Sequence, residues 1–120
     1  ELPTSSMETL LTESDYISLH VPSSQKPILG KEEMAKMKKG ACIINTARGG
    51  VIDEEALVES LQSGHLGGAG VDAFINEPTP SAAILSNPLI SVSPHIGGST
   101  AEAQSAIGLE LAEKITAAYK

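Results

Sequence analysis

Residues 41–57 read ACIINTARGGVIDEEAL, and the way this stretch divides decides the fold. Ala41 to Thr46 is a short apolar run of the kind that forms a buried strand. Arg48 then falls where that strand ends, followed by Gly49 and Gly50. From Asp53 the signals turn helical. Asp53 is an N-cap acid with two more acids in the first turn, Ile52 and Leu57 form a staple pair, and Gly64 provides a C-terminal stop. A buried strand that leads directly into a helix is half of a crossover unit, and crossovers join parallel strands.

The rest of the chain repeats this alternation. YISLHV (Tyr16–Val21), GGAGVDAF (Gly67–Phe74) and LISVS (Leu89–Ser93) are further short strand candidates closed by turn residues. KEEMAKMKK, bracketed by Gly30 and Gly40, predicts a second helix. Two capping boxes predict helix starts: Ser5 with Glu8 ahead of Leu10-Leu11, and Ser99 with Glu102 ahead of a long run. In that last run Ala103, Ile107, Leu111, Ile115 and Tyr119 recur every four residues and make one apolar stripe. Strand and helix taking turns through short links predict an α/β domain with an open parallel sheet and right-handed connections. At 120 residues the chain is of single-domain size, and one core is expected.

Composition excludes several functions. Formal net charge is −7, and the eight Lys and Arg are scattered apart from the Lys36–Lys39 patch. That patch reads as a solvated helix end, so neither nucleic acid nor an anionic membrane is expected as a partner. No apolar run is long enough to cross a membrane and no leader precedes the domain, which predicts a soluble, cytoplasmic protein; the start at Glu1 reads as a piece of something longer. The single cysteine, Cys42, cannot build a disulfide framework and reads as a small core residue in a reducing compartment.

Open parallel sheets bind ligands beyond the carboxyl ends of their strands. Arg48 sits at one such end, Asp72 late in the third strand and His95 just after the fourth, so the three converge on one rim. An arginine offers a planar fork of donors that matches a carboxylate, which suits an acid substrate. A histidine beside a carboxylate is a usable acid near neutral pH, and Glu77, before Pro78, is the candidate carboxylate. Asp72 needs a donor if it is buried. His20 reads as a core-edge residue and His65 as a helix C-cap. The three histidines share no ligand spacing, so no metal site is expected. Gly68-Ala-Gly70-Val-Asp-Ala73 fits a dinucleotide glycine fingerprint in form, but it runs into a strand rather than opening a helix and is rejected as a phosphate loop.

Taken in order, INTARGGVIDEEAL, GGAGVDAFINEP and SPHIGGST closely resemble the D-isomer-specific 2-hydroxyacid dehydrogenases, and among them the phosphoglycerate dehydrogenase branch. LLTESDYISLHVP and KMKKGACIINTARGG extend the resemblance over essentially the whole chain. It implies a partial Rossmann-like, doubly wound sheet, with residues 1–120 the C-terminal part of an NAD-binding domain that lacks the glycine fingerprint and the substrate domain. It further implies NAD as cofactor, a small 2-hydroxy or 2-keto acid as substrate, and Arg48, Glu77 and His95 as the catalytic trio. Asp72 would meet the nicotinamide carboxamide. Thr46, Ala47, Arg48, His95 and Gly97 would line the nicotinamide, and Val21-Pro22 would flank the cofactor. PSSQKPILG (Pro22–Gly30) departs from the family's usual run beside that loop. The last helix is associated with subunit contact in the family, so a homo-oligomer is expected. A different class of function stays open: a non-catalytic module that uses the sheet edge and last helix to assemble.

Overall fold

The computed structural model describes residues 3–119. In chain order they form α1 (Met7–Glu13), β1 (Tyr16–Leu19), α2 (Lys31–Lys36), β2 (Cys42–Asn45), α3 (Glu54–Gln62), β3 (Gly68–Val71), α4 (Ala82–Leu85), β4 (Ile90–Val92) and α5 (Ala101–Ala118). The strands make one sheet in the order β1-β2-β3-β4 with every pair parallel, as the alternation predicts. Each strand is shorter than its apolar run. Val21, Thr46 and Phe74 lie past the paired residues, where the chain leaves the sheet at its carboxyl rim.

Sequential strands are spatial neighbours, and right-handed crossovers between them put the connecting helices on one side of the sheet. The burial pattern shows which side. Ile17, Leu19, Ile43, Asn45, Ala69 and Val71 are buried, whereas Tyr16 and Ser18 on the opposite parity are exposed and Ile44 is half-buried. The core is therefore the layer between this face and α1 to α3, with Leu11, Leu29, Met34, Leu57, Leu61, Leu66 and Ile84 fully enclosed. Burial of each such side chain stabilises by about 1.5–3 kcal/mol. Cys42 belongs to the other face. It is half-buried rather than a core residue, because one step in a strand moves a side chain across the sheet.

Local signals place α3 as expected. The Asp53 carboxylate accepts from the Ala56 N–H at 3.0 Å, Ile52 and Leu57 are both buried, and Gly64 turns the chain at φ +72°. The other caps need correction by one residue. α1 is capped by Ser6, whose hydroxyl accepts from the Thr9 N–H, and α5 by Thr100, which accepts from the Ala103 N–H; Glu8 and Glu102 are then second-position acids favoured by the helix dipole. α2 stops at Lys36 instead of Lys39, since Met37 leaves the helix in extended geometry to bury its side chain. At the start of α2 the Glu33 carboxylate accepts from the Gly30 N–H at 3.0 Å. Lys38 pairs with Asp15 on the surface. α4, a single Ser81-capped turn, was not anticipated, because four residues are too few to show a helical period. α5 buries none of its residues, and the whole spans 58 × 36 × 24 Å. Among the described residues, no helix is long and apolar enough to cross a membrane.

Candidate active site

The carboxyl ends of β1 to β4 lie side by side in a parallel sheet, so every segment singled out in the sequence returns to one rim. Val21-Pro22 follows β1, Thr46-Ala47-Arg48 follows β2, Asp72 and Glu77 follow β3, and His95 and Gly97 follow β4. Val21 packs against the core and Ala47 is buried, while Pro22, Thr46 and Gly97 are exposed.

At the β3–β4 end the parts are in contact. His95 Nδ1 lies 2.8 Å from Glu77 Oε1 and 3.0 Å from Oε2. A carboxylate only accepts, so Nδ1 carries the hydrogen and Nε2 is left as the ring atom able to exchange a proton. The side chains of His95 and Glu77 remain 33% and 38% exposed, enough for a ligand to reach them. Glu77 Oε1 also accepts from the Phe74 N–H at 3.0 Å. That bond first, and the His95 ring second, hold the Glu77 carboxyl below the usual carboxylate range. A cleft of about 460 Å³ opens beside the pair, with Phe74, Pro80, Leu85 and Val92 among its walls.

Asp72 organises the backbone beneath the histidine. Its Oδ1 accepts from the Ser93 hydroxyl at 2.5 Å and from the His95 N–H at 3.1 Å. His95 has φ +53°, a left-handed conformation that costs energy in a residue with a Cβ, and the Asp72 bond helps to hold it. The donors that Asp72 engages are thus supplied by the segment that follows β4. Ser93 was not singled out in the sequence, because one serine in a strand gives no local signal of what lies across the sheet.

Arg48 sits on the same rim but not in that network. Its Nη1 donates to the Ala47 carbonyl at 2.7 Å, and it has no carboxylate partner among the described residues. The two other histidines lie elsewhere. His20 is exposed, not at the core edge, and its Nε2 is 2.8 Å from the Ser18 hydroxyl two residues back on the same face. His65 does cap a helix, though α2 rather than its own α3: Nε2 donates to the Met34 carbonyl at 3.0 Å. No group of three His, Cys, Asp or Glu suited to a metal occurs among the described residues. The Gly68–Ala73 string is β3 and its exit, which rules it out as a phosphate turn.

An open parallel sheet with a histidine–carboxylate pair and an arginine at its carboxyl rim is an α/β domain of the class that binds ligands beyond the ends of its strands. The sequence profile of the NAD binding domain of D-isomer specific 2-hydroxyacid dehydrogenases matches residues 1–97, and the chain belongs to that family. Hydroxypyruvate reductase of Thermotoga maritima is 52% identical over 114 residues, covering 91% of this chain and 37% of that protein. D-3-phosphoglycerate dehydrogenase of Bacillus subtilis is 43% identical over 110 residues, 90% of this chain and 21% of that one. The crystal structure of a glyoxylate reductase from Paecilomyes thermophila superposes with a TM-score of 0.83 at 43% identity, over 88% of this chain and 33% of that one. The chain therefore spans well under half the length of the relatives it matches.

Proposed function

We propose that residues 1–120 are the second half of an NAD-binding domain in a cytoplasmic, homo-oligomeric oxidoreductase that interconverts a small 2-hydroxy acid and its 2-keto acid. The observation that carries the reading is the His95–Glu77 pair at 2.8 Å on the rim that also bears Arg48. The residues present fit the nicotinamide end of the cofactor. Asp72 engages Oδ1 with Ser93 and His95, while Oδ2 has no protein donor among the described residues and is an acceptor for an amide N–H. Thr46, Ala47, Gly97 and the Val21-Pro22 segment complete that lining. The phosphate turn and the substrate domain would come from outside residues 1–120. NAD, when bound, supplies hydride transfer.

This chain's residues supply the rest. His95 Nε2 gives a proton to the substrate oxygen in reduction and takes it back in oxidation, while Glu77 holds the ring by Nδ1. Arg48 holds the substrate carboxylate and polarises the keto group. The names of the relatives favour hydroxypyruvate, glyoxylate or 3-phosphoglycerate chemistry, the last consistent with a role in serine biosynthesis. In an enzyme that contains this chain, His95→Ala should lower kcat by about 10²-fold or more with NAD affinity nearly unchanged. The chain by itself should show no turnover. An unchanged kcat in His95→Ala would remove the proposal. A second reading, a self-association module, is favoured by one observation: the apolar stripe of α5 is uncovered, with Ile107, Leu111 and Ile115 all more than half exposed.

A further inference from the structure

Asn45 closes β2 on the inward face of the sheet. At 2% exposure it is the one buried polar side chain among the described residues. All of its hydrogen bonds go to backbone. Oδ1 accepts from the Ala47 N–H at 3.1 Å, while Nδ2 donates to the Arg48 carbonyl at 3.0 Å and to the Ala73 carbonyl at 3.2 Å. Two of these bonds fold the arginine loop around the carboxamide, and the third crosses to the exit of β3. The Ala73 carbonyl belongs to the same peptide unit as the Phe74 N–H, which donates to Glu77. A donor on the oxygen of a peptide strengthens the N–H on its other side, because hydrogen bonds in a chain polarise one another. Gly49 brings the loops closer still: a Cβ there would overlap the Phe74 carbonyl, so the arginine loop rests directly on the peptide that follows.

We propose that Asn45 is a positioning residue whose single carboxamide nitrogen sets the separation between Arg48 and the Glu77–His95 pair, with Gly49 allowing the two loops to close. One route runs from Nδ2 to the Arg48 main chain. The other runs through the Ala73–Phe74 peptide to Glu77 and on to His95 Nδ1. A buried asparagine that only satisfied the core would affect stability and nothing else. A clasp also alters the strength of the Phe74 N–H and the titration of Glu77. The effect on rate rests on the dehydrogenase reading; the geometry does not.

Nuclear magnetic resonance on the chain tests the geometry. In the unmodified protein the Asn45 Nδ2 protons should exchange with water as slowly as the β2 amides, and fast exchange would overturn the proposal even if no variant folds. In Asn45→Ala the Phe74 amide proton should move upfield, and the Glu77 carboxyl midpoint should rise while that of Glu110 on α5 stays. His95 and Asp72 also act on Glu77, and Glu54 holds the adjoining Ile75 N–H at 2.8 Å, so all three are followed in the same series. Unmoved Phe74 and Glu77 signals in folded Asn45→Ala would overturn the clasp whatever the activity. In an enzyme containing the chain, the same variant should lower kcat on the order of 10-fold and raise KM for the keto acid, as a misplaced reacting group does. Moved signals with His95→Ala kinetically silent would keep the clasp and remove the dehydrogenase reading. Moved signals with His95 essential and Asn45→Ala at full kcat would overturn the positioning role.

Discussion

Helices α3 and α5 begin in the same way and end in opposite situations. Asp53 and Thr100 each accept a hydrogen bond from an amide three residues on, at 3.0 and 3.2 Å, and each helix has acids in its first turn. The shorter one buries Ala56, Leu57 and Leu61 against the sheet, whereas the 18 residues of α5 bury nothing. A cap specifies where a helix starts. It carries no information about what the helix will lie against.

Leu57→Ala gives the largest contrast. Leu57 is fully enclosed, and its truncation should cost about 2–5 kcal/mol in urea unfolding, transfer and cavity costs together. Leu111→Ala on α5 should stay within about 0.5 kcal/mol, as changes at exposed sites do. A comparable loss at Leu111 would break the comparison and show that α5 covers apolar surface, and a fall in mass by light scattering in the same variant would identify that surface as a second copy.

A smaller contrast lies in the caps. Asp53→Ala should lower global stability by about 1 kcal/mol, since α3 is part of the cooperative core. Thr100→Ala should leave the unfolding midpoint in place and only speed hydrogen exchange of the first α5 amides, because an unpacked helix opens locally. Loss of midpoint in Thr100→Ala would join the two helices into one unit.

The smallest effect concerns Glu77 on the rim, exposed like α5 yet held by hydrogen bonds. The Phe74 N–H and then His95 lower its folded pKa, so its contribution to stability is present above the ordinary carboxylate range and is lost as pH falls through the lowered value. Glu77→Gln should flatten that part of the acid limb in thermal melts across pH. An unchanged acid limb would place the rim with α5, as surface without organisation.

Much of this was legible before folding. Strand ACIINT, the Asp53 cap, the Ile52/Leu57 staple and the positive φ of Gly64 all follow from neighbours within a few residues. Arg48, Asp72 and His95 were found because parallel strands return to one rim. Asn45 was not found. It shares a sheet face with Ile43 two residues before it, but with Ile44 equally apolar the sequence does not say which face is covered, and its partners, Arg48 and Ala73, depend on how two loops meet. The caps of α1 and α5 were read one residue early because adjacent serines and threonines offer equivalent oxygens, and only the backbone path selects between Ser5 and Ser6 or Ser99 and Thr100.

By itself the sequence determined the alternation of strands and helices, the parallel sheet that short crossovers require, the family, and the rim on which Arg48, Asp72 and His95 fall. These rest on periodicity, caps and ordered motifs, which act over short range. Tertiary structure alone decided which sheet face is covered, and so why Cys42 is outside the core. It also decided that Glu77 reaches His95, that Asp72 holds the histidine's left-handed backbone, and that one buried carboxamide joins the loops of β2 and β3. The last three depend on hydrogen bonds between residues 18 to 28 apart in the chain, whose geometry exists only once the strands have paired.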